Sequence, residues 1–231
     1  MNITIAYTIF FSILYTIPLL SQTAEINEVY EKNGLLYDKT TGEPFTGTLI
    51  ERNETRKIIA RKQFQNGLEN GVSRFYDKNG ILVSTGEFSN GLEHGNWIWF
   101  YPSGIIKAKG FYIEGEAEGM WTYYYENSLI ERTGLVKKGK EHGYWKYFDE
   151  KGNKKIERYF TFGILDSLEK TFYPNQQIMT EKRYKEGIEE GLTKGWYSNG
   201  KIKFEGIYKE GKIIYFREWD EKGNLIKHYE Q

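Results

Sequence analysis

A glycine returns every 24 residues without a miss, at Gly67, Gly91, Gly115, Gly139, Gly163, Gly187 and Gly211. A second column runs four residues later through Gly47, Gly71, Gly95, Gly119, Gly143 and Gly191, and carries the period back almost to the start of the chain. A fixed period of this length makes each unit one small supersecondary element, which buries its apolar surface only by stacking on its neighbours. The 231 residues are therefore read as one elongated array rather than as one or two globular domains.

Each unit reads as two strands. In Gly71 to Gly80 a short β-prone stretch ends at Asn79-Gly80, and Ile81 to Phe88 runs back to Asn90-Gly91. Both Asn-Gly pairs are expected to supply the positive φ angles of tight hairpin turns. Stacked hairpins give a meander in which every strand pairs with its sequence neighbours, so register is set locally by the turns. After residue 25 no stretch carries a 3.6-residue apolar period without an intervening turn signal, so helix is not expected. The fold class is thus all-β: an elongated antiparallel meander of stacked 24-residue β-hairpin repeats, solenoid-like.

Three columns of large β-formers share the period and are expected to be the stacking core. They are Tyr76, Phe100, Tyr124, Phe148, Phe172 and Trp196; Leu82, Ile106, Ile130, Ile178, Ile202 and Ile226, with Lys154 as the exception; and Phe64, Phe88, Tyr112, Val136, Phe160, Tyr184 and Tyr208. Aromatics make up 17% of the chain and 19 of them are Tyr, a residue that lies half buried with its hydroxyl wet. That suits a sheet exposed on at least one face. Lys plus Arg equals Asp plus Glu at 32 each, and the signs alternate locally, as in Glu181-Lys182-Arg183-Tyr184-Lys185-Glu186. Without a basic excess, non-specific nucleic-acid binding has no electrostatic drive, and nucleic acid is not expected as a partner.

Residues 1–22 carry no charge and include an apolar run from Ile3 to Leu20, which reads as a signal peptide cleaved near Ser21 or Gln22. Retained, the same segment would be an inner-membrane anchor. Residues 23–47 are expected to form a leader or capping unit and residues 48–231 the array, of roughly eight units with an incomplete last one from Phe216. The chain has no cysteine, so it has no disulfide staple and no lipid-attachment thiol at this end. Export to a bacterial periplasm or cell surface fits these features.

Gly-Glu-Phe-Ser-Asn-Gly-Leu-Glu-His-Gly (86–95), followed by Asn-Trp-Ile-Trp-Phe-Tyr-Pro-Ser-Gly (96–104), resembles the MORN-repeat variant of bacterial proteins labelled YwqK-type antitoxin components. Gly134 to Gly143 with Tyr144-Trp-Lys-Tyr-Phe148, and Tyr184 to Gly191, follow the same pattern, and Tyr37 to Gly47 is similar to the leader unit that opens such arrays. The resemblance spans about residues 30 to 230. It implies stacked hairpins, protein contacts or membrane apposition, and an antitoxin role toward a partner toxin. Asn127-Ser128, Asn175-Gln176 and Ser167 stand where turn glycines are expected, and the middle of the array is expected to bend or loosen there.

The candidate binding site is a local enrichment of aromatics on a second face: Trp97, Trp99 and Tyr101, then Trp121, Tyr123 and Tyr125, then Trp145 and Tyr147. Alternation puts each group on one side of its strand. Ser73 and Phe75 before, and Glu169, Thr171, Thr193 and Gly195 after, at the equivalent positions of neighbouring units, mark the enrichment as local. A contiguous exposed patch of this kind would take a protein partner or a sugar ring. The alternative is that the array curls over this face, or that the rings pack on cross-strand glycines.

Catalytic chemistry has little footing. His94 and His142 sit two repeats apart, roughly 19 Å, and cannot share a metal ion. Glu116, Glu118, Glu141, Glu189 and Glu190 fall in inter-unit turns with no evident cleft. No serine stands in an elbow motif. No catalytic residue, metal or cofactor is expected. The function expected is an exported, non-enzymatic scaffold that binds a protein partner, with a cell-wall glycan or membrane surface, or a neutralised toxin, as the alternatives.

Overall fold

The computed structural model describes residues 22–231, which are all β apart from a 3₁₀ turn at Ile26–Glu28. Nineteen strands form one open, mostly antiparallel sheet, and the hairpin Val29–Lys32 with Leu35–Asp38 stands beside it. From Gly47–Arg52 to Leu225–Glu230 the strands pair with those that precede and follow them in the chain. The elongated meander is therefore the fold observed. At about 4.8 Å per strand it runs to roughly 80 Å.

The two glycine columns do different jobs. Gly91, Gly115, Gly163 and their equivalents are second residues of two-residue turns, and the first residue is also left-handed (Asn90 φ 52°, Glu114 φ 50°, Phe162 φ 49°). Such primed turns match the twist of the strands they join. Each turn glycine also donates its amide to a carbonyl of the preceding hairpin: Gly91 to Glu69 at 2.8 Å, Gly115 to Glu93 at 2.9 Å, Gly187 to Leu165 at 2.8 Å. The column through Gly95, Gly119 and Gly143 supplies the positive φ of a bulge just inside each forward strand.

The opposite turns are built differently from the expectation. In Asp77–Ile81 only Gly80 is left-handed (φ 84°), and Asn79 is not. The Asp77 carboxylate instead accepts from the amides of Asn79 and Ile81, which leaves the turn with one strained position. Those bonds hold the Asp77 carboxyl below its usual range, the Ile81 amide contributing most. Where the aspartate is replaced by tyrosine, the hydroxyl reaches the next hairpin: Tyr101 to the Tyr124 carbonyl, Tyr125 to Phe148, Tyr173 to Trp196 and Tyr197 to Trp219, all at 2.7–2.8 Å.

No loosening occurs at the missing glycines. Ser128, Ser167 and Gln176 take φ values of 69°, 63° and 67°, the same left-handed geometry, and the strands around them pair with bulges like those of the glycine-bearing units. One of the expected core columns is also only half covered. Ile106, Ile130 and Ile226 are 37%, 38% and 59% exposed, because a single-layer sheet has nothing to pack against them there. The last unit is one residue short, so Trp219 pairs with Leu225 instead of continuing the 24-residue register to Ile226.

The segment expected as a signal peptide lies outside the described residues except for Gln22. That residue begins the strand Gln22–Glu25, which pairs in parallel with Gly47–Arg52, and its side chain donates to Asp38 at 2.6 Å. Ala24, Val29, Phe45 and Leu49 form a small buried cluster with Leu36 and Phe64 against it. Leu36 donates to the Gly67 carbonyl and Gly67 to the Phe45 carbonyl, which ties residues 22–47 to the first two-residue turn.

Ser128→Gly and Gln176→Gly are expected to raise stability by about 0.5–1 kcal/mol each, since glycine adopts the left-handed region without the Cβ penalty. Chemical denaturation of the two variants measures it.

Candidate functional site

The aromatic enrichment resolves into a row that crosses the sheet. Ser73, Gly86, Trp97, Gly110, Trp121, Gly134, Trp145, Arg158, Glu169 and Lys182 follow one another on neighbouring strands of one face. The indoles of Trp97, Trp121 and Trp145 lie on Gly86, Gly110 and Gly134 so closely that a Cβ at any of these glycines would overlap the ring. Burial follows: the three tryptophans are 6%, 6% and 1% exposed. Trp97 donates its indole N–H to the Glu87 carbonyl at 3.2 Å and Trp145 to Leu135 at 3.0 Å, whereas Nε1 of Trp121 is buried without a partner.

The remaining rings cover these. Trp99 lies 5.7 Å from Trp97 and 5.4 Å from Trp121, and Tyr123 bridges Trp121 and Trp145 at 6.2 and 6.3 Å. Tyr112 meets Trp97 and Trp121 edge-on at 5.8 and 5.5 Å. The Arg132 guanidinium sits 4.0 Å above the Tyr123 ring, and Arg158 5.6 Å from Tyr147. Burial pushes the phenols of Tyr123 and Tyr147 up. Of the eight candidate residues, then, Trp97, Trp121 and Trp145 are buried, and Trp99, Tyr123 and Tyr147 are half buried beside them. Tyr101 and Tyr125 have gone to the turns with their hydroxyls bonded. The rings pack on cross-strand glycines; they do not form a contiguous exposed patch.

Past Trp145 the row changes chemistry at both of its alternating positions together. Arg158 takes the glycine's place and Glu169 the tryptophan's, joined at 2.5 Å with Glu169 only 7% exposed. In the next unit they are Lys182 and Thr193, and Glu189 accepts from both at 3.2 and 2.6 Å. Five units earlier Glu69 likewise accepts from Ser73 at 2.6 Å, and burial raises its carboxyl. Burial also raises Glu141, with Arg132 at 3.4 Å pulling the other way. Glu69 and Glu141 are three repeats apart, roughly 29 Å, too far to work as a pair. Glu118 and Glu190 accept the turn amides of Lys138 and Glu210. The His142 ring packs 4.8 Å from Phe162. Among the described residues no cluster of His and acidic side chains could hold a metal ion.

The exposed apolar surface lies on the other face, which the sequence reading did not single out. Met120 pairs with Leu135, Tyr144 with Tyr159 and Leu192 with Ile207, and Met120 and Tyr144 are 61% and 52% exposed. Ile98, Phe111 and Met120 line a shallow cleft of about 480 Å³. Beside this stripe runs a ladder of directly opposed charges: Lys146, Glu157, Lys170, Glu181, Lys194, Glu205 and Arg217. The signal was present in the sequence, because Met120, Tyr144, Leu168 and Leu192 are spaced by 24 residues on the alternate side of each forward strand.

The linked replacements predict strong coupling. Arg158→Gly alone leaves the buried Glu169 unpaired and is expected to cost about 3–5 kcal/mol. Arg158→Gly with Glu169→Trp is expected to recover most of that, and a double-mutant cycle read by denaturant unfolding measures the coupling. Trp145→Phe forfeits a hydrogen bond that Trp121→Phe does not, so it should be the costlier of the two by about 1 kcal/mol or more in the same assay.

No curated protein matches the chain. Likenesses to solved structures are slight. They include the GtfA/B complex bound to UDP and GlcNAc (11% identity, 54% of this chain and 22% of that one, TM-score 0.22). Others are TcdB2-TccC3-Cdc42 (11%, 85% and 14%, 0.20) and the TCP10 domain of Danio rerio CPAP with a peptide of Danio rerio STIL (13%, 80% and 100%, 0.17). The chain spans 22% and 20% of the first two structures it matches, both of the GtfA/B complex. Scores this low bear on neither fold nor function. Within the array, residues 69–90, 93–114 and 189–210 match the MORN repeat variant.

Proposed function

We propose that this chain is an exported, non-enzymatic scaffold that binds a protein partner across the face opposite the tryptophans. MORN repeats are generally protein- or membrane-interaction modules. The observation that carries the reading is the asymmetry of the sheet. One face is filled by its own aromatic and ion-pair row, while the other leaves Met120, Leu135, Tyr144, Leu192 and Ile207 in solvent. Exposed apolar side chains in a stripe, flanked by a ladder of alternating charge, suit a partner's apolar ridge with a polar rim. Stacking on sugars needs open ring faces, and the rings of the tryptophan face cover one another, so the geometry favours protein over glycan. Export rests on the uncharged apolar segment at residues 1–22 and the absence of cysteine. A toxin-neutralising role, which the resemblance implies, is one case of the same reading and would make the partner a toxin.

Affinity capture from envelope and cytosolic fractions tests this. A Met120→Glu/Tyr144→Glu variant, altered only at exposed positions, is expected to lose the partner by about tenfold or more, while Trp99→Ala retains it. Equal capture by the Met120/Tyr144 variant would overturn the reading, as would sedimentation with cell-wall material in place of any captured protein.

A further inference from the structure

The row that carries the charge ladder begins with a like-charged pair. On the same face, in the first hairpins and separated from the ladder by Thr85, Ile98, Lys109, Thr122 and Thr133, Arg61 stands directly opposite Arg74. Like charges directly opposed across strands destabilise a sheet. Their flanking neighbours in the row, Ile50 and Thr85, provide no counter-charge. Arg61 also lines an open cleft of about 390 Å³ with Arg52, Arg56, Lys57, Tyr76 and Asn79, and no carboxylate lines it.

The nearby carboxylates are engaged elsewhere or stand apart. Glu25 pairs with Arg52, Glu51 with Lys62, and Asp77 accepts from its own turn. Glu87 leans over Gly95, and Glu54 is exposed in the Asn53–Lys57 turn. Arg56, Lys57, Arg61 and Arg74 make no ion pair among the described residues. Arg56 holds φ 61°, in the turn position that Gly80, Gly104, Gly152 and Gly200 fill in other units. Arg56 thus stands among the residues lining the cleft in a backbone conformation that its residue type disfavours, as Ser128 and Gln176 do at the same position of two other units.

We propose that this cleft binds a multiply charged oxyanion, a phosphate or sulfate group, held by Arg61 and Arg56, which line it, with Arg74 directly opposite Arg61 as the third cation. Guanidinium groups bind such anions through paired N–H donors, and a bound dianion turns the Arg61–Arg74 repulsion into a bridge. The site is independent of the apolar stripe, so its failure leaves the scaffold reading standing.

Thermal unfolding of the full chain in sodium phosphate tests it, with ionic strength matched by sodium chloride. For a dissociation constant near 1 mM, about 10 mM phosphate should raise the wild-type midpoint by about 3–5 °C, saturably. Arg61→Glu puts a carboxylate directly opposite Arg74 in place of the like charge; it should unfold at or above the wild-type temperature in chloride and lose the phosphate shift. Arg56→Gly relieves the strained turn and should show a clearly reduced shift. An absent wild-type shift overturns the proposal. So does an equal shift in Arg61→Glu, which would mark general exclusion of phosphate from the protein surface. Should Arg61→Glu fail to fold, an undiminished shift in Arg56→Gly overturns it alone.

Discussion

An indole laid on a glycine of the neighbouring strand is the contact on which the middle of this array depends. A sheet one layer thick has no second sheet or helix to cover its apolar side chains. Burial must come from side chains that lie along the sheet rather than stand up from it. A flat ring can do so only where the residue beneath has no Cβ, and Gly86, Gly110 and Gly134 meet that condition for Trp97, Trp121 and Trp145. The result is nearly complete burial of three large rings in a structure with almost no interior.

The same row shows a second solution to the same problem. Where the glycine becomes Arg158, a tryptophan no longer fits, and Glu169 takes its place as a buried ionic partner. An ion pair with little exposure gives less net stabilisation than well-packed rings, because desolvation offsets much of the attraction. Its virtue here is compatibility with a return strand that carries a long side chain. The array is therefore chemically polarised along its length, aromatic from Phe75 to Tyr147 and ionic from Arg158 to Glu189, on an unchanged backbone plan.

Backbone geometry was far more legible in the sequence than side-chain environment. The glycine period led directly to hairpins, meander and absence of helix, because turns are local and glycine reports φ without reference to the rest of the molecule. Even so, Asn79 was misread as left-handed, since an aspartate carboxylate two residues earlier can organise a different turn with one glycine. Ser128, Ser167 and Gln176 were misread as weak points, since flanking strands hold them in the same conformation. The candidate patch was harder. Six of its eight members lie on one face in three successive units as expected, Tyr101 and Tyr125 having gone to the turns, but whether Trp121 is exposed depends on Gly110 across the strand and on Trp99 and Tyr112 beside it. The pairing of glycine with tryptophan and of Arg158 with Glu169, each 11 residues apart, was the available clue. The exposed stripe through Met120 and Tyr144 went unseen because aliphatic side chains at a strand period resemble core.

The bond from each turn glycine to a carbonyl 22 residues earlier has a consequence for how such a chain changes over generations. It joins a hairpin only to its predecessor, so a unit inserted or removed whole finds the same partners on both sides. An insertion of a single residue inside a strand would instead turn every following side chain to the opposite face, bringing the charge ladder where the indoles lie. The shortened last unit shows where an odd residue can be absorbed, between the two-residue turn at Glu210-Gly211 and the strand residue Phe216, which still reaches its place opposite Gly206. Length is thus free to drift in steps of one hairpin, while the separation of the two faces is kept by the bulges and turns.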